Sequence, residues 1–149
     1  MKKSSLKYRS VIPEARRVVI KIGSRVLVQK TGRPDKRRMR SLVREIAAIQ
    51  ALGHEVVVVS SGAVGAGMAA LGMKQRPESL PELQMAAAVG QTRLMSHYDT
   101  LFGERGCKVG QVLLTHSDFH HKIRLTNARR TMESLIRHSV IPIINENDV

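Results

Sequence analysis

Apolar residues along the chain alternate between short continuous runs and longer stretches where they recur every three or four positions. Residues 17–22 (RVVIKI) and 55–59 (EVVVV) are runs rich in β-branched side chains, and two later runs cover 108–114 and 140–144. Short apolar runs bounded by glycine or polar residues are typical of strands covered on both faces of a parallel sheet. The sequence therefore predicts four strands.

The stretches between these runs have the periodicity of helices. From about Pro34 to Leu52, apolar residues recur at spacings of three and four, namely Met39, Leu42, Val43, Ile46 and Ile49. Further helices are expected over residues 63–71, 82–102 and about 115–138, with a loop over 72–81.

Strands that alternate with helices predict βαβ units. The expected fold class is α/β, with a mostly parallel sheet sandwiched by helices in a three-layer α/β/α arrangement. Ligands of such sheets bind beyond the carboxyl ends of the strands. The residues that follow each strand are therefore the first candidates for a binding site.

The first strand contains Lys21 and is followed by Gly23 and Ser24. A lysine in an apolar strand is costly unless its amine reaches water or a partner. Lys21 is therefore either an edge residue that extends to solvent or a lysine placed to meet phosphate oxygens, with Gly23 allowing close backbone approach. The residues alone leave both interpretations open.

The segment SSGAVGAG, residues 60–67, follows the second strand. Glycines that open a helix present backbone N–H groups and the positive end of the helix dipole to an anion, and Ser61 adds a hydroxyl. The alternative is a tight turn that requires small residues. The Walker motif is absent, and the G-x-G-x-x-A match at 65–70 lies too far from the next strand for a dinucleotide-binding unit of about 30 residues.

Four polar residues, Asn145, Glu146, Asn147 and Asp148, come directly after the fourth strand. Amides and a carboxylate can receive an ammonium group and orient a polar small molecule. An Asx-type turn is the alternative. We favour a binding site, because the residues after three strands would then converge.

The chain has 149 residues and a formal net charge of +13, all of which lies within residues 1–44. We interpret residues 1–15 as a basic tail and 16–149 as the folded portion. Basic residues attract nucleic acid, but no aromatic residues suited to base stacking are interleaved with them and no DNA-binding motif is present, so no nucleic-acid partner is expected.

A single cysteine, Cys107, excludes an intrachain disulfide and favours a reducing compartment. No apolar run approaches the roughly 20 residues that span a bilayer. The expected location is therefore the cytoplasm, without a membrane partner. His116 and His120 have the spacing of metal ligands, but no motif supports them, and no metal site is expected. Aromatic residues are scarce, which predicts an aliphatic core.

Five segments carry a family resemblance: VVIKIGS, VVVVSSGAVGAG, LQMAAAVGQTRLM, VGQVLLTHSDF and IPIINENDV. Together they resemble the amino-terminal part of the glutamate 5-kinases, which have the amino acid kinase fold, over roughly residues 17–149. The resemblance implies ATP-dependent phosphorylation of the γ-carboxylate of L-glutamate, the first step of proline biosynthesis. It also implies ATP with Mg²⁺ as cofactors and a homo-oligomer for the full-length protein.

The resemblance also implies roles for individual residues. Lys21 is similar to a catalytic lysine that contacts the ATP phosphates, with Gly23 and Ser24 as further ATP-binding residues. The residues implied for glutamate are Ser61, Gly62, Ala63, Asn145 and Asp148.

Two features depart from the family. Arg25 stands where a small residue is more usual, and the sequence ends at Val149, before a Gly-Asp-Asn-Asp stretch, the adenine-binding half and a second lysine. We therefore expect an incomplete sheet domain and little or no activity from this chain alone. The alternatives are a non-catalytic module that binds glutamate or proline, and one half of a split amino acid kinase.

Overall fold

The computed structural model describes residues 13–27 and 35–149, so most of the expected basic tail and the residues around Pro34 lie outside the described part. The elements are β1 (Arg17–Lys21), α1 (Ser24–Leu27), α2 (Lys36–Ala51), β2 (Glu55–Val59), α3 (Ala63–Ala70), α4 (Leu80–Gly103), β3 (Lys108–Leu114), α5 (His116–His120), α6 (Lys122–Arg137) and β4 (Val140–Glu146). The four strands form one parallel sheet in the order β1-β2-β4-β3.

Helices pack on both faces of this sheet. Alternate residues of each strand point to one face, and on that face apolar side chains of β2 and β4 join those of α2 and α4 in a single core. On the opposite face, α6 approaches β3 closely enough that a Cβ added at Gly110 would lie 2.9 Å from Leu135 Cδ2. The predicted three-layer α/β/α class is confirmed.

The core is mostly aliphatic, as expected, but its two largest wholly buried side chains are aromatic. Tyr98 and Phe102 lie one turn apart on α4 and stack with their ring centroids 6.1 Å apart. The Tyr98 hydroxyl is hydrogen-bonded to Ser60 Oγ at 2.9 Å, which satisfies both groups in the core. The tyrosine thus links the interior to the residues that follow β2.

The helix expected over residues 115–138 is two helices. His121 has extended backbone angles (φ −105°, ψ 104°), so the helical hydrogen-bond pattern is interrupted there and α5 ends before α6 begins. Asp118 Oδ2 accepts a hydrogen bond from the Thr115 backbone N–H at 2.7 Å, which stabilises the start of α5. A single helix was therefore a wrong prediction.

Two further boundaries differ from expectation. The strand predicted over 140–144 continues to Glu146, because β3 extends to Leu114 and the two residues pair in the parallel ladder. The loop expected over 72–81 is shorter, since α4 starts at Leu80 with a proline in its first turn, where the missing N–H costs nothing.

Two glycines allow α3 and α4 to cross at very short range. A Cβ added at Gly90 of α4 would lie 1.7 Å from the backbone oxygen of Ala63, and one added at Gly67 of α3 would lie 1.7 Å from that of Ala86. The backbones are therefore nearly in contact. This packing fixes the first turn of α3 relative to α4, at the carboxyl end of β2.

Candidate functional site

A cleft of about 880 Å³ lies at the carboxyl ends of the strands. Six of the residues predicted for a site line it: Ser24, Ser61, Gly62, Ala63, Asn145 and Asp148. The cleft thus brings together residues that follow β1, β2 and β4, as a parallel sheet predicts.

The turn after β2 is held by Ser61 and Gly62. Ser61 Oγ donates a hydrogen bond to the carbonyl oxygen of Ile22 at 2.8 Å, which joins the turn to the end of β1. Because a hydroxyl has one proton, Ser61 then offers only lone pairs to a ligand. Gly62 has φ 97°, a left-handed conformation that favours glycine, and immediately precedes α3.

The first residues of α3 form another wall of the cleft. Ala63, Val64 and Gly65 all line it. The amino-terminal end of a helix carries unpaired N–H groups and a partial positive charge. This wall is therefore suited to a carboxylate or a phosphoryl oxygen.

Asn145, the sixth residue of β4, is 5% exposed and lines the cleft. Its Nδ2 donates to Gln91 Oε1 of α4 at 2.7 Å, and Gln91 Nε2 donates to Gln111 Oε1 of β3 at 3.0 Å. Neither glutamine was predicted as a site residue, because each resembles an ordinary polar residue on a helix or strand surface. It also placed Asn145 after the strand, whereas the residue lies within it.

Asp148 supplies a carboxylate at the same end of β4. Burial raises the pKa of Asp148, the neighbouring Glu146 carboxylate raises it further, and Arg76 opposes both effects. Ionisation of Asp148 is therefore less favourable in the free protein than for a fully solvated aspartate. A ligand cation beside Asp148 would relieve this electrostatic cost.

The cleft also has a basic side that the sequence analysis did not anticipate. Arg25, Arg38 and Arg76 line it together with Asp35. Asp35 is occupied by Arg38, whose backbone N–H donates to Oδ1 at 3.0 Å and whose Nε lies 3.6 Å from Oδ2. Arg25, noted above as a departure from the family, is thus a residue of the cleft.

Lys21 and Gly23 do not line the cleft, although both adjoin it in sequence. Lys21 is the last residue of β1, is exposed, and pairs in register with Val59. Paired residues of parallel strands share a sheet face, so Lys21 lies on the face opposite to Ile20 and the α2–α4 core. Its assignment to ATP stays a prediction.

The histidine pair of α5 lies outside the cleft lining. His116 and His120 have their Nε2 atoms 3.2 Å apart. Within residues 13–27 and 35–149, no three His, Cys, Asp or Glu side chains are grouped so that they could hold a metal ion. In the same ranges, no helix combines the length and apolar character needed to cross a membrane.

With this geometry established, the amino-acid sequence can be compared with those of known proteins. A family model described as the amino acid kinase family matches residues 16–149. The chain belongs to the amino acid kinase family. The carboxyl-end cleft is thus a feature of a member of this family.

Several curated relatives are named glutamate 5-kinase. The protein from Moorella thermoacetica is 49% identical over 140 residues, which cover 94% of this chain and 37% of the relative. The proteins from Citrifermentans bemidjiense and Geobacter sulfurreducens are 46% and 47% identical, with 94% and 93% of this chain covered. The chain spans 37–38% of the length of these relatives.

Proposed function

We propose that this chain forms the glutamate-binding part of a glutamate 5-kinase. The reaction transfers the γ-phosphoryl group of ATP to the γ-carboxylate of L-glutamate, which yields L-glutamyl 5-phosphate and ADP. The observation that carries the proposal is the common cleft lined by Ser61, Gly62, Ala63, Asn145 and Asp148. Relatives 46–49% identical that are named glutamate 5-kinase support the choice of substrate.

The cleft offers complementary groups for both ends of an amino acid. The Asp148 carboxylate and the lone pairs of Ser61 Oγ are acceptors that suit an ammonium group. The first turn of α3 suits a carboxylate. Phosphoryl transfer depends on positioning and charge stabilisation rather than on a protein nucleophile, so this arrangement needs no activated serine or cysteine.

The nucleotide would approach from the β1 side of the cleft. When bound with Mg²⁺, ATP supplies the phosphoryl group that is transferred. Ser24 and Arg25 line the cleft and Lys21 is exposed at the end of β1, so donors and positive charge are available there for phosphate oxygens. In this proposal Lys21 balances charge on the transferred group, and Gly23 and Ser24 contact the phosphates.

The proposal extends to the biological setting. It assigns the protein to the first step of proline biosynthesis, in the cytoplasm, with glutamate as its small-molecule substrate and a homo-oligomer as its assembly. The substrate and the pathway rest on the relatives named glutamate 5-kinase and on the family resemblance, and all of these assignments remain predictions for this chain.

Two measurements on the 149-residue chain test the activity. Calorimetry with L-glutamate is expected to show binding at one site, and Asp148→Asn should weaken it. A coupled assay for ADP release with glutamate and MgATP is expected to show little or no turnover by this chain. Binding without turnover is also expected of a glutamate-binding module and of half of a split kinase. Adding the remaining part of a relative in trans separates these two alternatives, because restored turnover indicates half of a kinase and continued absence of turnover indicates a binding module. Absence of glutamate binding contradicts the proposal.

A further inference from the structure

Three amide side chains from three elements form a hydrogen-bonded series that ends in the cleft. Gln111 Oε1 on β3 accepts from Gln91 Nε2 on α4 at 3.0 Å, and Gln91 Oε1 accepts from Asn145 Nδ2 on β4 at 2.7 Å. Gln111 is exposed, Gln91 is half-buried and Asn145 is buried. The series therefore runs from the surface to the ligand-binding end of the sheet.

The direction of this series determines which atom of Asn145 faces the cleft. A primary amide has one acceptor oxygen and one donor nitrogen. In the structure Gln91 Nε2 donates to Gln111 and Gln91 Oε1 accepts from Asn145, so Asn145 presents its Nδ2 to Gln91. Among the described residues, Asn145 Oδ1 has no hydrogen-bond partner. In the same part of the chain, no wholly buried side-chain N or O atom lacks a partner, so Oδ1 is not wholly buried. Asn145 lines the cleft, so Oδ1 is placed to meet a ligand there.

We infer that Gln91 is a positioning residue that turns Asn145 Oδ1 toward the ligand as a hydrogen-bond acceptor. Building on the proposed function, this means that Asn145 receives an N–H of the substrate's α-ammonium group. Ser61, which donates its proton to Ile22, and the Asp148 carboxylate present acceptors in the same cleft. An ammonium group has three N–H donors, and each of these three side chains provides at least one acceptor.

Two substitutions at Gln91 test the direction of the series. Gln91→Glu keeps an acceptor for Asn145 Nδ2, and the exposed Gln111 can rotate its amide to donate to the new carboxylate. Gln91→Met has similar length and neither donor nor acceptor. Gln91→Met should raise the dissociation constant for L-glutamate about tenfold, as expected when a hydrogen bond to a charged group is lost, whereas Gln91→Glu should stay within about threefold of the wild type.

The ratio of affinities for glutamate and glutarate distinguishes positioning from general damage. Glutarate has the same two carboxylates but lacks the ammonium group. Gln91→Met should therefore weaken the binding of glutamate and leave the binding of glutarate unchanged, so the ratio of the two affinities falls about tenfold. Gln50→Met is the matched control, because Gln50 is a half-buried glutamine of α2 that donates to the Ser139 carbonyl oxygen at 3.1 Å, away from the cleft lining.

A measurement without ligand makes the inference independent of the proposed substrate. In the free protein, the side-chain N–H₂ protons of Asn145 should exchange slowly with solvent by nuclear magnetic resonance. Gln91→Met should speed this exchange at least tenfold, and Gln91→Glu should not. Rapid exchange in the wild type, or equal damage by both variants, overturns the role of Gln91. Slow exchange without glutamate binding supports the role of Gln91 and contradicts the proposed function instead.

Discussion

Gly90 makes one of the two closest backbone contacts near the cleft, and replacing this glycine tests how the first turn of α3 is held. In Gly90→Ala, the new Cβ would lie 1.7 Å from the Ala63 oxygen and 2.4 Å from the Gly67 nitrogen. Real Cβ atoms essentially never approach closer than 3.0 Å, and the opposing atoms belong to backbone. The helices must therefore move apart, because no flexible side chain can rotate away.

The size of the effect follows from two opposing contributions. Overpacking typically costs about 1–3 kcal/mol, and a backbone obstacle places this substitution at or above the upper end. Alanine recovers up to about 1 kcal/mol through its better helix propensity. The free energy of unfolding should thus fall by about 2 kcal/mol or more, out of about 5–15 kcal/mol for a typical domain. Ala63 lines the cleft, so glutamate affinity should fall as well.

Gly103→Ala is the matched control. Gly103 is the last residue of the same helix, and a Cβ added there meets nothing within 4 Å. This variant should therefore be as stable as the wild type or up to about 1 kcal/mol more stable. Urea unfolding followed by circular dichroism measures both variants. Equal stability of Gly90→Ala and Gly103→Ala would refute the close helix crossing.

Two further predictions concern Tyr98 and Asp148. Tyr98→Phe leaves buried Ser60 Oγ without its 2.9 Å partner and should lower the free energy of unfolding by about 1 kcal/mol; urea unfolding indistinguishable from the wild type would contradict this. Because burial and Glu146 raise the pKa of Asp148, the carboxylate that attracts an ammonium is lost as the pH falls through this raised pKa. Calorimetry at several pH values should therefore show glutamate affinity declining at a higher pH than an ordinary aspartate predicts, and Asp148→Asn should flatten that decline; an unchanged profile in the variant contradicts the assignment. The folding stability of the ligand-free chain should change in the opposite direction. Because the pKa of Asp148 is raised in the folded state, its contribution to the free energy of unfolding increases as the pH falls.

The strands and the long helices were predictable because local sequence determines them. Unbroken apolar runs such as residues 55–59 have few alternatives to a buried parallel strand, and the apolar face of α2 recurs with helical spacing. The position of the cleft was also predictable, because the carboxyl ends of parallel strands lie along the same edge of the sheet. Ser61, Asn145 and Asp148 were expected at this edge for the same reason, and all three line the cleft; their role in glutamate binding stays a prediction.

Features that depend on tertiary contacts were not predictable in the same way. The four-residue α1 is too short for any apolar periodicity, and the end of β4 is set by its pairing with β3 rather than by its own composition. The partnership of Gln91 with Asn145 depends on how α4 is rotated against the sheet. Residues 54 positions apart carry no local signal of such a contact.

We propose that the cleft at the carboxyl ends of the strands binds L-glutamate. The most direct test is a nuclear magnetic resonance titration of the isotope-labelled chain with L-glutamate, with glutarate as the comparison ligand. We expect saturable shifts at the backbone amides of Ser61, Gly62, Ala63, Asn145 and Asp148, and weaker ones with glutarate. No shifts in these residues at saturating glutamate, or shifts confined to another part of the chain, would contradict the claim.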